Sequence, residues 1–218
     1  MSAFADIFDS TSAFLRSKGV ALEVLKRKKA THSDVDLFRR QTGVSLPASF
    51  SAFFTDFADG FDLRWEKGEN TFGAISIPSL QQLAEKRRNM ARNVRDFLDD
   101  PNSLDRCVAP EFRAEAFHVL RTMESWVPFW DEGNGDHFCV DASSGRIVYD
   151  QHDWFDGFGS LTTTSGIVAG QNLSDFLENW SRFCFQPNKN LWWGEFGKFG
   201  AIKWEAVYFE AKFFRGSK

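Results

Sequence analysis

Apolar residues recur along this chain at two spacings, about 3.6 and 2, and the switches between them predict its elements. Phe4, Ile7, Phe8, Phe14 and Leu15 fall on one helical face, and Gly19 ends that helix. A basic run from Lys26 to Lys29 leads to Ser33. With Asp36 it matches a capping box, in which two side chains satisfy free amides at a helix start. Gly43 stops this helix, and Pro47 suits the first turn of the next, where its missing N–H costs nothing. Phe50, Phe53, Phe54 and Phe57 then recur at i, i+3, i+4 and i+7 before Gly60, which predicts a core-facing helix.

The period then changes to two. Phe61, Leu63 and Trp65 alternate, Lys67 to Asn70 reads as a turn, and a second strand runs through Ile75 and Ile77. Ser79 and Gln82 form another capping box. The helix they open buries Leu80, Leu83, Met90, Val94, Phe97 and Leu98, with Lys86, Arg87, Arg88, Arg92 and Arg95 on or near its outer side. Pro101 ends it, and Pro110 opens a helix through Phe112, Phe117 and Leu120. Trp126 to Trp130 is a short aromatic strand in which Pro128 argues for a sheet edge or a bulge. After the turn-rich Asp131 to Asp136, strands over His137 to Asp141 and Arg146 to Asp150 complete an antiparallel meander. A Gly/Ser/Thr-rich loop over about 156–166 precedes a helix capped near Asn172, with Leu173, Phe176, Leu177 and Trp180 inward. An aromatic tail follows Pro187. This order predicts an α+β domain: an antiparallel sheet of four to six strands, with helices packed on one side and at both ends.

Composition adds a core built from rings, because 25 phenylalanines and 8 tryptophans stand beside only 2 tyrosines. A chain of 218 residues buries enough surface to fold without metal or disulfide staples. Cys107, Cys139 and Cys184 have no CxxC spacing, so they read as buried thiols of a reducing compartment. The net charge of −4 gives no reason to expect nucleic acid as a direct partner. No apolar run reaches the length of a membrane span, and the N-terminus, with Asp6 and Asp9, does not read as a signal peptide. The expected location is cytoplasmic.

Catalytic chemistry finds little support. Asp136, His137, Asp150, His152 and Asp153 are the candidates for a metal-assisted hydrolase, but Asp136 and His137 point to opposite faces if both lie on the strand. The loop from Asp131 is no EF-hand, since its sixth place is not glycine and its twelfth is Ala142. Gly194, Gly197 and Gly200 make no phosphate loop, and no G-x-S-x-G occurs. Cys139 has only His137 as a nearby cationic neighbour and reads as a structural thiol. The expectation is a non-enzymatic protein without cofactor or metal.

Three ordered segments resemble the SUKH superfamily, which includes fungal cell-wall-assembly regulators and bacterial immunity proteins. Gly43-Val44-Ser45-Leu46-Pro47, leading into Phe50, Phe53 and Gly60, is similar to its entry motif. Trp126-Val127-Pro128, then Gly133 to Asp136, Phe138, Asp141, Gly145 and Ile147, is similar to its meander. Leu173 to Leu177 is similar to its closing helix. The likeness spans about 33–185, which leaves a helical extension over 1–32 and an aromatic extension over 186–218, expected to pack on the same domain. Val35 and Asp36 stand where the family's first helix carries isoleucine and glutamate. The resemblance implies a binding protein, most simply an immunity protein that neutralises a cognate toxin, with a regulatory scaffold as the alternative.

Residues 124–157 hold eight acids against one base, Arg146. Such a concentration steers basic partners, and a nuclease toxin has a basic cleft. Trp154 and Phe155 add aromatic anchors of the kind interfaces favour. The expected partner-binding residues are Asp131, Glu132, Asn134, Asp136, Asp150, Asp153, Trp154, Phe155 and Asp156.

Overall fold

The computed structural model describes residues 3–67, 71–100, 102, 108–131, 135–151, 165–186, 201, 202 and 204. Helix α1 (Ala3–Ser17) leads to strand β1 (Ala21–Lys26), then α2 (His32–Thr42) and the short α3 (Ala48–Ala52), which runs into one π-helical turn over Phe53–Phe57. Strands β2 (Phe61–Lys67) and β3 (Thr71–Ile77) precede the long α4 (Leu80–Asp99). A 3-10 turn over Pro110–Phe112 opens α5 (Arg113–Met123). The meander β4 (Trp126–Asp131), β5 (His137–Asp141) and β6 (Ile147–Asp150) is extended by β7 (Ile167–Gly170), and α6 (Leu173–Ser181) follows.

The class is α+β, as the pattern predicts, but the strands divide between two antiparallel sheets, β1-β2-β3 and β4-β5-β6-β7. Two strands lack a legible pattern in the sequence. β1 is almost wholly exposed and is held by its ladder to β2 instead of by burial. β7 is only four residues long and pairs with β6 across a register shift.

Local chemistry explains most boundaries. The first capping box sits two residues earlier than expected. Thr31 is the N-cap of α2, its N–H donating to the Asp34 carboxylate at 2.8 Å while its hydroxyl accepts the Asp34 N–H. The Ser79–Gln82 box opens α4 as expected, and the Asn172 side chain accepts the Asp175 N–H at the start of α6. Gly43 caps α2 with φ 73°, and Pro47 is the N-cap of α3, one place before its first turn.

Rings join both sheets into one main core. Phe50, Phe53, Phe54 and Phe57 are buried as their spacing predicts, each burial contributing about 1.5–3 kcal/mol. Phe50 meets Phe129 of β4, which meets Phe176 of α6, which lies 4.8 Å from Phe138 of β5. Trp204 is buried beside this cluster and donates from Nε1 to the Ala169 carbonyl at 2.9 Å. Two expected core rings differ. α1 turns Phe8, Thr11, Ser12 and Leu15 inward and leaves Phe14 exposed, while α5 buries Ala116, Leu120 and Met123 and leaves Phe117 outside under Arg121. A second, smaller core forms where α4 and α5 cover the other face of the meander through Val94, Leu120, Met123, Trp126, Cys139 and Val148.

Candidate functional site

The meander positions its polar residues through one irregularity. Strand alternation sends Val127 to the main core and Pro128 to the α4/α5 side. The register then shifts between Pro128 and Trp130, so that Phe129 and Trp130 both face the main core. Asp131 thereby falls on the α4/α5 face, directly opposite His137, which in turn pairs with Asp150. A bulge at an edge strand re-aims the side chains beyond it. Both readings of Pro128, edge and bulge, hold together here.

The result is a row of three residues across β4, β5 and β6. His137 Nε2 lies 3.9 Å from the Asp131 carboxylate, and His137 Nδ1 lies 4.0 Å from that of Asp150. Lys86 of α4 reaches Asp131 at 3.9 Å, and the Ser165 hydroxyl lies 3.3 Å from Asp150. Between this row and the two helices runs a groove of about 380 Å³, within the size range of ligand pockets. Met90, Val94 and Phe97 of α4 and Leu120 and Met123 of α5 form its apolar wall, with Asn89 and Asn93 also lining it. The Met side chains make this wall adaptable to the shape of a guest. Among the described residues, no group of three His, Cys, Asp or Glu side chains is placed to share a metal ion.

Of the residues expected to bind a partner, Asp131 is the half-exposed end of β4. Asp136 and Asp150 are buried, at 1% and 4% exposure, which removes both from an open acidic face. Asp136 accepts a short hydrogen bond from the Tyr149 hydroxyl, so its role is to anchor the start of β5. Asp150 forms part of the groove floor. Glu132, Asn134, Asp153, Trp154, Phe155 and Asp156 lie outside the described residues, as does His152. Sequence reasoning placed Lys86 only on an outer face and did not connect it with the meander. The stripe Lys86, Asn89, Asn93 beside the apolar stripe Met90, Val94, Phe97 was the available clue.

Arg87, also expected on the outer side of α4, is buried at 5% exposure. One Nη donates to the Glu124 carbonyl, while Nε and the other Nη have no hydrogen-bond partner. Burial lowers its pKa, opposed by the charge of Glu124. Cys139 itself is fully buried, and desolvation, with Asp150 adding to it, raises its thiol well above the ordinary range. That thiol stays protonated and is a structural one.

The residues that carry the sequence motifs prove to be mutual supports. Gly145, at φ 78°, closes the β5–β6 turn beside the ring of Pro47. Asp141 organises that turn, accepting from the hydroxyls of Ser125, Ser143 and Ser144 at 2.5–2.7 Å and from the Ser143 N–H at 3.0 Å. Burial pushes its carboxyl up, but those four bonds outweigh it and hold the pKa below the usual value. Leu173, Phe176 and Leu177 are fully buried in the core. Consistent with this pattern, the model of the SMI1/KNR4 family (SUKH-1) matches residues 29–179.

The chain belongs to the SMI1/KNR4 family. The match covers well over half of its length, and at the level of the family it points to protein–protein interaction. A comparison with curated proteins finds no match. Among the described residues, no helix is long and apolar enough to cross a membrane. Among the described residues, the family motifs of this SUKH-1 chain are largely spent on turns and core.

Proposed function

We propose that this SUKH-1 chain is a non-catalytic, cytoplasmic immunity protein that neutralises a cognate toxin by direct binding. The observation that supports this reading is the open groove against the meander, bordered by Lys86, which reaches Asp131, and floored by His137 and Asp150. The segments that continue directly from β4 and β6 carry Glu132, Asp153 and Asp156 in sequence, so further acids enter the chain next to Asp131 and Asp150. A basic side chain of the toxin fits such a site well. Its alkyl stem lies along Met90, Val94 and Leu120, and its head is attracted by the carboxylates. A concentration of acids of the kind this segment carries in sequence raises the on-rate of a basic partner, by about 10–10³-fold at low salt.

The test is whether a toxin gene lies beside this one and whether its product co-purifies with the full chain, followed by affinity measurements over a range of salt. Asp131→Lys should weaken the complex and flatten its salt dependence, and Met90→Trp should weaken it by filling the groove. Unchanged affinity in both variants would place the interface elsewhere. Stable capture of an endogenous regulatory protein, with no toxin bound, would replace immunity with a scaffold role.

A further inference from the structure

The outer edge of β1 is open. Among the described residues this strand pairs only with β2, at the end of the first sheet away from β3. The Arg27 N–H donates to the Gly60 carbonyl at 3.1 Å, toward the β2 side. Strand alternation therefore turns the main-chain groups of Leu22, Val24 and Lys26 outward, away from β2. Apolar side chains accompany them, because Val24 is 47% and Leu25 54% exposed, one on each face of the sheet.

Proteins commonly blunt such an edge with lysine, proline or a bulge. Here β1 has neither proline nor a bulge in its ladder. Its one lysine, Lys26, leans back with Nζ 3.9 Å from the Phe57 ring centroid and so covers the core instead of the edge. Beyond the strand end, Arg27, Lys28 and Lys29 are all exposed, and among the described residues no ion pair joins Lys28 or Lys29 to a carboxylate. Main-chain groups, an apolar pair and a cationic run thus lie along one line.

We propose that the free edge of β1 docks an extended acidic segment of a partner protein, which adds a fourth strand to the first sheet. Main-chain bonds to Leu22, Val24 and Lys26 supply the pairing, an apolar residue of the guest covers Val24, and its carboxylates meet Lys28 and Lys29. A second copy of this chain is the poorer occupant. Antiparallel pairing of two β1 strands about Val24 would bring Lys28 and Lys29 of each copy toward Lys18 of the other, and Glu23 would face Leu25 rather than a cation. Charge complementarity selects an acidic guest. This surface is separate from the meander groove, so either reading can fail without the other.

The probe is a labelled peptide of about ten residues that alternates valine and glutamate, with lysine in place of glutamate as the control, titrated onto the full chain by fluorescence anisotropy. The Val/Glu peptide should bind and slow amide exchange at Leu22, Val24 and Lys26, and the Val/Lys peptide should not. Val24→Pro removes one outward N–H that β2 does not use, and should abolish binding. Lys28→Glu combined with Lys29→Glu lies outside the strand, so it tests the site even if the proline variant misfolds. It should weaken binding at least about tenfold, or 1.4 kcal/mol. No binding, equal binding of the two peptides, or binding without slowed exchange at β1 would overturn the proposal. Protection of β1 that rises with protein concentration alone would instead identify a second copy as the occupant.

Discussion

The indole Nε1 of Trp65 donates a 2.7 Å hydrogen bond to the carbonyl oxygen of Cys184, tying β2 to the turn after α6 across 119 residues of chain. That turn is built from two consecutive left-handed residues, Cys184 at φ 54° and Phe185 at φ 57°. Non-glycine residues adopt this conformation at a cost, offset here by complete burial of Phe185 and by the Ala74 N–H, which donates to the Phe185 carbonyl at 2.9 Å. Together these bonds secure the first sheet against the helix that covers the second.

Gly73 is the weak point of this latch. A Cβ there would sit 2.4 Å from Trp65 Nε1 and 2.5 Å from the Cys184 oxygen, so Gly73→Ala must break the bond or move the strand. Trp65→Phe should cost about 1–3 kcal/mol, since it leaves the Cys184 carbonyl buried without its donor. Gly73→Ala should cost more. Urea denaturation of the two variants checks both the losses and their order.

Arg87 presents a buried cation whose Nε and one Nη find no acceptor. Buried charge without full pairing is expensive, and an apolar side chain of similar length removes that cost. Arg87→Met should therefore match or exceed the stability of the parent, by about 1 kcal/mol or more, while Arg87→Ala should lose stability by opening a cavity. Thermal unfolding of the pair separates these outcomes.

Acid should unfold the chain partly through Asp141. Its folded pKa lies below the ordinary value because four bonds from Ser125, Ser143 and Ser144 favour the carboxylate over the effect of burial. Such a group contributes stability that is fully present above the unfolded pKa, about 3.9, and is lost as pH falls through the lower folded value. Ser143→Ala with Ser144→Ala should thus be less stable at pH 7 and should converge on the parent below that window. Urea midpoints measured from pH 7 down to pH 2 test the sign.

Both described thiols should be inert in the native state. Burial raises Cys184 to about 11, and Cys139 is displaced upward by desolvation and by Asp150. A Cys107→Ser variant should take up no iodoacetamide at pH 8 while folded and should label at both positions once unfolded. Mass spectrometry of the native and denatured samples gives the answer, and rapid native labelling at Cys139 would contradict the buried placement of β5.

The sequence by itself determined the elements whose periodicity is long or whose caps are local. The Phe50 to Phe57 spacing, the Ser79–Gln82 box, the Asn172 cap and the meander strands all depend on neighbours a few residues apart, so they are legible one window at a time. It also carried the family resemblance, because motif residues such as Pro47, Asp141 and Phe176 serve turns and core that any such fold must build. Only the tertiary structure decided the division into two sheets, since β1 owes its existence to the β2 ladder and is otherwise almost wholly exposed. It likewise turned Asp136 and Asp150 inward, buried Arg87 and brought Lys86 to Asp131. A charged residue reads as exposed in a sequence, and whether a hydrogen-bond partner draws it inside depends on strands and helices that arrive from far along the chain.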